Sequence, residues 1–257
     1  MVSGQNNGVG STTMVNIVFP FYNETDSLPA FERELEAYLS QNTYVDSITL
    51  VNDGSSDHTG EALRGLVDRW TSRYPVRFTL IDLPVNQGKG SALRAGVMAS
   101  QSPWVVTMDA DLAYSPHQID SWIREFGVLE GAEKVYIGSR ALTQSQVEAS
   151  YLRRMMSWVF STFVYWTTGL PFRDTQSGFK MYPGRHAKNV FSDLQEKGFA
   201  HDVEILMRLQ QQGIPIKELP VRCQTSGTSS VHVLHDSVKM IQAIFRMRRQ
   251  VRQYVRG

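Results

Sequence analysis

Cysteine is nearly absent: the 257-residue chain has one, Cys223. This excludes an internal disulfide and a thiolate metal cluster and suits a reducing compartment. The residue itself reads as a half-buried strand position. Long apolar runs are missing too. The longest uncharged stretch, residues 155–172, is 18 residues and contains Ser157, Thr162, Thr167, Thr168 and Gly169. A spanning helix needs roughly 20 mostly apolar residues, so a helix in a membrane plane or facing the core is expected instead. No apolar core follows the start, where residues 1–13 are rich in Gly, Ser, Asn and Thr. They read as a disordered leader or a cloning remnant, with Met14 as a natural start. The pattern Gly-x-x-x-x-Gly-Lys-Ser/Thr is absent, and so is Gly-x-Gly-x-x-Gly at the first strand–helix turn. These absences argue against an ATPase and a dinucleotide enzyme. The histidines, His58, His117, His186, His201, His232 and His235, show no metal-ligand spacing.

What is present is ordinary globular material, 42% hydrophobic and 20% charged, enough to bury the core of one large α/β domain. Its expected extent is 14–230, followed by a basic amphipathic helix within 231–257. The net charge of +1 hides an asymmetry. From Ile205 onward nine Lys or Arg face two acids, Glu218 and Asp236, whereas the first 204 residues carry 17 basic and 23 acidic side chains. A basic tail on an acidic body suits a polyanionic surface. Its basic residues lack interleaved stacking aromatics, which favours membrane lipid over nucleic acid.

Short β-branched runs at 15–19, 47–51, 77–81, 104–108 and 134–137 alternate with helical periodicity at 27–40, 57–74, 89–100 and 116–129. This alternation predicts a mostly parallel sheet flanked by helices, with ligands bound beyond the carboxyl ends of the strands. The polar residues at those ends are therefore the informative ones. They are Pro20-Phe21-Tyr22-Asn23-Glu24, with Asp26 and Ser27 as helix caps; Asn52-Asp53-Gly54-Ser55-Ser56-Asp57; Asn86-Gln87-Gly88-Lys89-Gly90; and Asp109-Ala110-Asp111. In an extended segment residues i and i+2 share a face. Asp109 and Asp111 can then present two hard oxygen ligands to a divalent cation that also holds a diphosphate. The Gly88-Lys89-Gly90 turn suits either anion binding at a helix start or a plain tight turn.

The series FPFYNE, VNDGSSD, NQGKGSALRAG, MDADLAYSP, GSR and DTQSGFKMY resembles the family 2 glycosyltransferases of the glycosyltransferase A (Rossmann-like) fold. The greatest similarity is to the polyprenyl-phosphate hexose synthases, the dolichol-phosphate mannose synthases and dolichyl-phosphate glucosyltransferases. It runs in order from about Val15 to the basic C-terminal helix. The resemblance implies that Pro20, Tyr22, Glu24 and Asp53 border the nucleobase and ribose, with Gly88 and Lys89 near the same pocket. Asp109 and Asp111 would hold Mg²⁺ or Mn²⁺ on the diphosphate of a UDP- or GDP-sugar. Arg140, Arg173 and Ser177 would grip the phosphate of a polyprenyl acceptor, and Arg222 would close over the phosphates. Two positions depart from the family pattern. Ala113 stands where a glutamine often assists the metal, and Gly227-Thr228-Ser229-Ser230 lacks the lysine that commonly ends that loop.

A phosphate acceptor is already anionic and needs cations rather than a base, which Arg140 and Arg173 can supply. A hydroxyl acceptor would need a carboxylate base. Asp202 stands where related enzymes carry one, but it also suits the start of a helix over 203–212. The function expected is an inverting, metal-dependent hexosyltransferase acting on polyprenyl monophosphate at the cytoplasmic face of a membrane. Glucose and UDP are favoured slightly, with mannose and GDP open. The alternatives are a hydroxyl acceptor with Asp202 as base, and a non-catalytic nucleotide-sugar-binding protein on a membrane. The final helix, expected over 232–256, places Met240, Ile244, Met247, Val251 and Tyr254 on one side and Lys239, Arg246, Arg248, Arg249, Arg252 and Arg256 around them. With the aromatic run Trp158, Phe160, Phe163, Tyr165 and Trp166, and Tyr151, Arg153 and Arg154 ahead of it, this helix is expected to flank a lipid entrance. Such an arrangement leaves room for a membrane-spanning partner subunit.

Overall fold

A computed structural model describes residues 14–130, 133–148, 151–224, 240 and 242–247. The expected leader 1–13, the boundary at 230/231, the loop 227–230 and most of the C-terminal helix lie outside the described residues.

The first half alternates as its periodicity demands: β1 (Val15–Phe21), α1 (Leu28–Leu39), β2 (Val45–Asn52), α2 (Thr59–Arg73), β3 (Arg77–Asp82), α3 (Lys89–Ala99) and β4 (Trp104–Thr107). Leu28, Phe31, Leu35, Tyr38 and Leu39 form the buried stripe of α1, which opens with a proline in its first turn. Ser27 occupies the N-cap position, yet its hydroxyl does not cap the helix and donates back to Glu24. Helix α2 starts two residues later than the periodicity suggests, because Asp57 Oδ1 accepts the Thr59 amide (3.0 Å) ahead of the helix. Then follow α4 (His117–Phe126), a 3-10 turn (Val128–Glu130), β5 (Val135–Ser139), β6 (Gln146–Glu148) and α5 (Tyr151–Thr168). The remaining elements are β7 (Lys180–Pro183), α6 (Gly184–Ser192), α7 (His201–Gln211), β8 (Ile216–Pro220) and β9 (Arg222–Gln224), where Cys223 is buried rather than half-buried.

Seven strands form one sheet in the order β3-β2-β1-β4-β7-β5-β8, and β6 pairs with β9. All neighbours in the large sheet are parallel except β7, which runs against both β4 and β5. This reversal positions the site. Thr107 at the end of β4 pairs with Lys180 at the start of β7, and Ile137 of β5 pairs with the same Lys180. The segment entering β7 therefore meets the segments leaving β4 and β5 at one edge, and Ser139↔Pro220 brings the exit of β8 beside them.

Helices cover both faces. One core joins β1, β2 and β4 to α1, α2 and α4 through Phe19, Phe31, Leu35, Trp70 and Trp122. The other joins the opposite face to α3, α6, α7 and Val164 of α5 through Val18, Val105, Tyr182 and Leu206. Residues 242–247 are helical, with Ala243, Ile244 and Met247 buried in this second core. That part of the tail's apolar stripe therefore faces the protein body.

Candidate active site

At the exit of β4 the chain turns sharply. Leu112 donates its amide to Asp109 O (3.2 Å), Ala113 donates to Asp111 Oδ1 (3.0 Å), and Leu112 takes a left-handed φ of 47°. A non-glycine residue there stores about 1–3 kcal/mol of strain. Lys89, the first residue of α3, reaches across so that Nζ lies 2.6 Å from Asp109 Oδ1. On the other side the backbone of Gly178 presses against the same carboxylate. A Cβ at that position would lie 2.3 Å from Asp109 Oδ2.

The acids crowd one another. Burial raises the pKa of Glu24; a bond from Ser27 lowers it, and Asp111, Asp57 and Asp109 raise it again, leaving the net shift upward. Lys89 shows the complement: burial works against its charge, but Asp109, Asp202 and Asp111 outweigh it and raise its pKa.

The loops around this centre are tied by their own side chains. Asn23 and Glu24 bond to Ser55, Ser56 and Thr59, fastening the β1 exit to the β2 exit. Asp53 is 2% exposed, and its two carboxylate oxygens accept the amides of Gln87 and Gly88, each at 2.8 Å. The glycines of the next turn are required by another piece of chain. A Cβ on Gly88 would meet Lys197 O at 2.5 Å, a Cβ on Gly90 would meet Glu196 O at 2.5 Å, and the Gly90 amide donates to Lys197 O (2.7 Å). Close packing against residues 196 and 197 accounts for both glycines.

Arg140 Nε and Nη2 grip Asp174 at 2.7 and 2.9 Å, and the Arg140 amide donates to the same carboxylate. Burial opposes the charge on Asp174, and the Arg140 guanidinium outweighs it, holding the carboxyl below its ordinary range. Arg173 is exposed, while its amide and that of Asp174 donate to Glu218 Oε1 (3.0 and 3.1 Å). A cleft of about 2410 Å³ runs along this edge. Glu24, Lys89, Asp109 and Asp111 line it together with Arg140, Arg173 and Arg222, and Trp158 and Tyr165 of α5 form a wall.

Not every residue singled out from the sequence lines that cleft. Pro20, Tyr22, Asp53, Gly88, Ser177 and Asp202 do not. Ser177 is fully buried, its hydroxyl accepting the Phe179 amide (3.4 Å). Asp202 is 7% exposed and sits inside α7, where its Oδ1 accepts from Lys180 Nζ at 2.5 Å. Sequence reasoning passed over Lys180 and Glu218. The signal for Lys180 was a lone charge inside the apolar run Phe179-Lys180-Met181-Tyr182.

The donor set suits a hard divalent cation completed by other oxygens. Among the described residues no three His, Cys, Asp or Glu side chains form a group able to hold a metal unaided. Asp109 and Asp111 would supply two carboxylates, with a diphosphate and water filling the remaining positions. Burial is the main cause of the upward shift of Glu24, and Asp111, Asp57 and Asp109 add to it, negative charge that such a cation would relieve.

Solved structures share this architecture. Glucosyl-3-phosphoglycerate synthase from Mycobacterium tuberculosis, in complex with Mn²⁺, UDP and glucosyl-3-phosphoglycerate, superposes with a TM-score of 0.66 at 15% identity, over 92% of this chain and 80% of that one. Mannosyl-3-phosphoglycerate synthase from Rubrobacter xylanophilus gives 0.65 at 18%, over 95% and 76%. The sheet with its acidic pair at the β4 exit is thus a glycosyltransferase A fold. Residues 16–191 match Glycosyl transferase family 2, and the chain belongs to that family of glycosyltransferases. Among curated relatives, the dolichyl-phosphate beta-glucosyltransferase of Dictyostelium discoideum is 28% identical over 91% of this chain and 73% of its own length. That of Mus musculus is 31% identical over 82% and 67%.

Proposed function

We propose that this enzyme transfers a hexose, glucose in the first instance, from a UDP-sugar to a polyprenyl (dolichyl-type) monophosphate with inversion, at the cytoplasmic face of a membrane. The observation that carries the reading is the cleft's charged lining. The acids and Lys89 share one cleft with Arg140, Arg173 and Arg222, so two anionic reactants can be held close together. Mg²⁺ or Mn²⁺ held by Asp109 and Asp111 would neutralise charge developing on the departing diphosphate. Lys89 would share that charge, and Arg222 would approach the donor phosphates from β9. Arg140, its orientation fixed by Asp174, would hold the acceptor phosphate together with Arg173. A phosphate oxygen needs no proton removed before it attacks the anomeric carbon. Asp202, paired to Lys180 and away from the cleft wall, is poorly placed to serve a hydroxyl acceptor.

The relatives' names supply the sugar and the acceptor, and the mycobacterial synthase, which shares this fold, is a complex with Mn²⁺ and UDP. Among the described residues no helix is long and apolar enough to cross a membrane. Helix α5 instead turns Trp158, Val159, Tyr165 and Trp166 outward, suiting contact with a bilayer or a membrane-spanning partner at the mouth of the cleft.

The test is a donor screen with a short polyprenyl phosphate and Mn²⁺ or Mg²⁺. UDP release from UDP-glucose with formation of a glucosyl phospholipid is expected. Equal transfer to the unphosphorylated polyprenol would overturn the phosphate-acceptor reading.

A further inference from the structure

Lys180 is 1% exposed, an unusual place for an ammonium group. It donates to two oxygens, Asp202 Oδ1 at 2.5 Å and the backbone carbonyl of Ser177. The residue after Ser177 is Gly178, whose backbone lies against Asp109 so closely that a Cβ would fall 2.3–2.6 Å from all three carboxylate atoms. On its other side Asp109 is held by Lys89 Nζ, and Lys89 in turn feels Asp202. His201 Nε2 faces the same Asp202 oxygen at 3.3 Å. Asp202 thus stands behind Asp109 along two routes, one through Lys180 and the 177–178 backbone, the other through Lys89.

We infer that the buried Lys180–Asp202 pair is a positioning device for Asp109, in which Lys180 pins the Ser177 carbonyl so that Gly178 holds the Asp109 carboxylate at a fixed angle. The inference rests on the reading that Asp109 faces the metal and diphosphate. It gives Asp202 a part that is neither general base nor helix cap. A base must come within hydrogen-bond reach of the acceptor proton, whereas Asp202 is buried away from the cleft wall with an oxygen already held by Lys180. Its carboxyl is also held below the usual range: burial raises it, and His201, Lys180 and Lys89 outweigh that. An apolar pair would fill the same space without the desolvation cost of two charges. What an apolar pair would lack is a donor aimed at the Ser177 carbonyl.

The experiment measures Mn²⁺ affinity, alone and with UDP, from the electron paramagnetic resonance signal of free Mn²⁺, beside steady-state kinetics. K180M/D202N removes both charges with near-isosteric side chains, avoiding the unpaired buried ammonium that D202N alone would leave. Gly178→Ala leaves the pair intact and disturbs only its last contact. Both variants should fold, weaken Mn²⁺ binding by roughly 10- to 100-fold and lower kcat, with KM for polyprenyl phosphate unchanged. The losses from K180M and D202N should not add in the double variant. Wild-type Mn²⁺ affinity in either folded variant overturns the inference alone. So does a D202N enzyme that loses turnover with Mn²⁺ affinity intact while K180M keeps it, since that pattern belongs to a base. A wild-type protein that binds no Mn²⁺ even with UDP overturns the reading of Asp109 and this inference with it.

Discussion

Asp53 has both carboxylate oxygens occupied by the amides of Gln87 and Gly88, so its first task is to hold the β2 exit against the glycine turn. Asp53→Ala would strand two amides and should cost roughly 2–4 kcal/mol in chemical denaturation. A loss confined to donor affinity would show instead that its carboxylate serves the nucleotide. Asp111 accepts the Ala113 amide through Oδ1, and Asp109 pairs with Lys89 at 2.6 Å. Asn at both positions should lower kcat by at least about 100-fold in a protein that still unfolds cooperatively. His201 links chemistry to pH. Burial lowers its pKa below 6.5; Asp202 raises it, Lys89 and Lys180 lower it further, and the Gly198 carbonyl raises it. The folded state thus binds fewer protons than the unfolded chain, and the contribution to stability is complete above 6.5 and lost as pH falls through the folded value. Thermal unfolding should shift downward between pH 7.5 and 5.5, less so in His201→Gln. An identical slope in the two proteins would remove His201 from the account.

At the scale of elements, the strands and helices of the first half follow from residue pattern alone, since apolar β-branched runs end in polar turns and α1 carries its stripe at helical spacing. The glycine turn is different. Its residues permit an anion site as readily as a plain tight turn, and the close approach of the 196–198 segment to both glycines is visible only in the fold. Glu204 holds that segment by accepting the amides of Gln195 and Glu196. Gly90→Ala would drive a Cβ into Glu196 O and His201 Cβ, so a destabilisation of about 1–3 kcal/mol is expected by calorimetry, with lower activity because Lys89 starts the same helix. Strands β6 and β9 escape a periodicity reading because three residues are too few to show a period. Strand β7 escapes it because a buried lysine interrupts its apolar run.

Across the described residues, two cores fix the sheet, and helix α5 carries large apolar side chains that stay exposed. Helix α5 buries Val164 yet exposes 68% of Trp158 and 77% of Trp166, and the cleft opens beside it. Replacing both tryptophans by Ser should weaken partitioning onto anionic vesicles by more than tenfold, at about 2 kcal/mol of lost apolar burial per side chain. Turnover with a short, water-dispersed polyprenyl phosphate should hold in Trp166→Ser alone, since Trp166 does not line the cleft. Unchanged vesicle binding would move the membrane contact elsewhere.

The sequence by itself determined the α/β alternation, the family, and the chemical types gathered at the strand ends, because periodicity and turn chemistry are local properties of the chain. Only the tertiary structure decided which side of each loop its polar atoms face. Asp53, Ser177 and Asp202 have the composition of site residues and point into the protein, whereas Arg140 and Arg222 point into the cleft. The reversed strand β7 makes that difference, since pairing Lys180 with both Thr107 and Ile137 sets distant segments at one edge, and no local pattern records which strands will be neighbours.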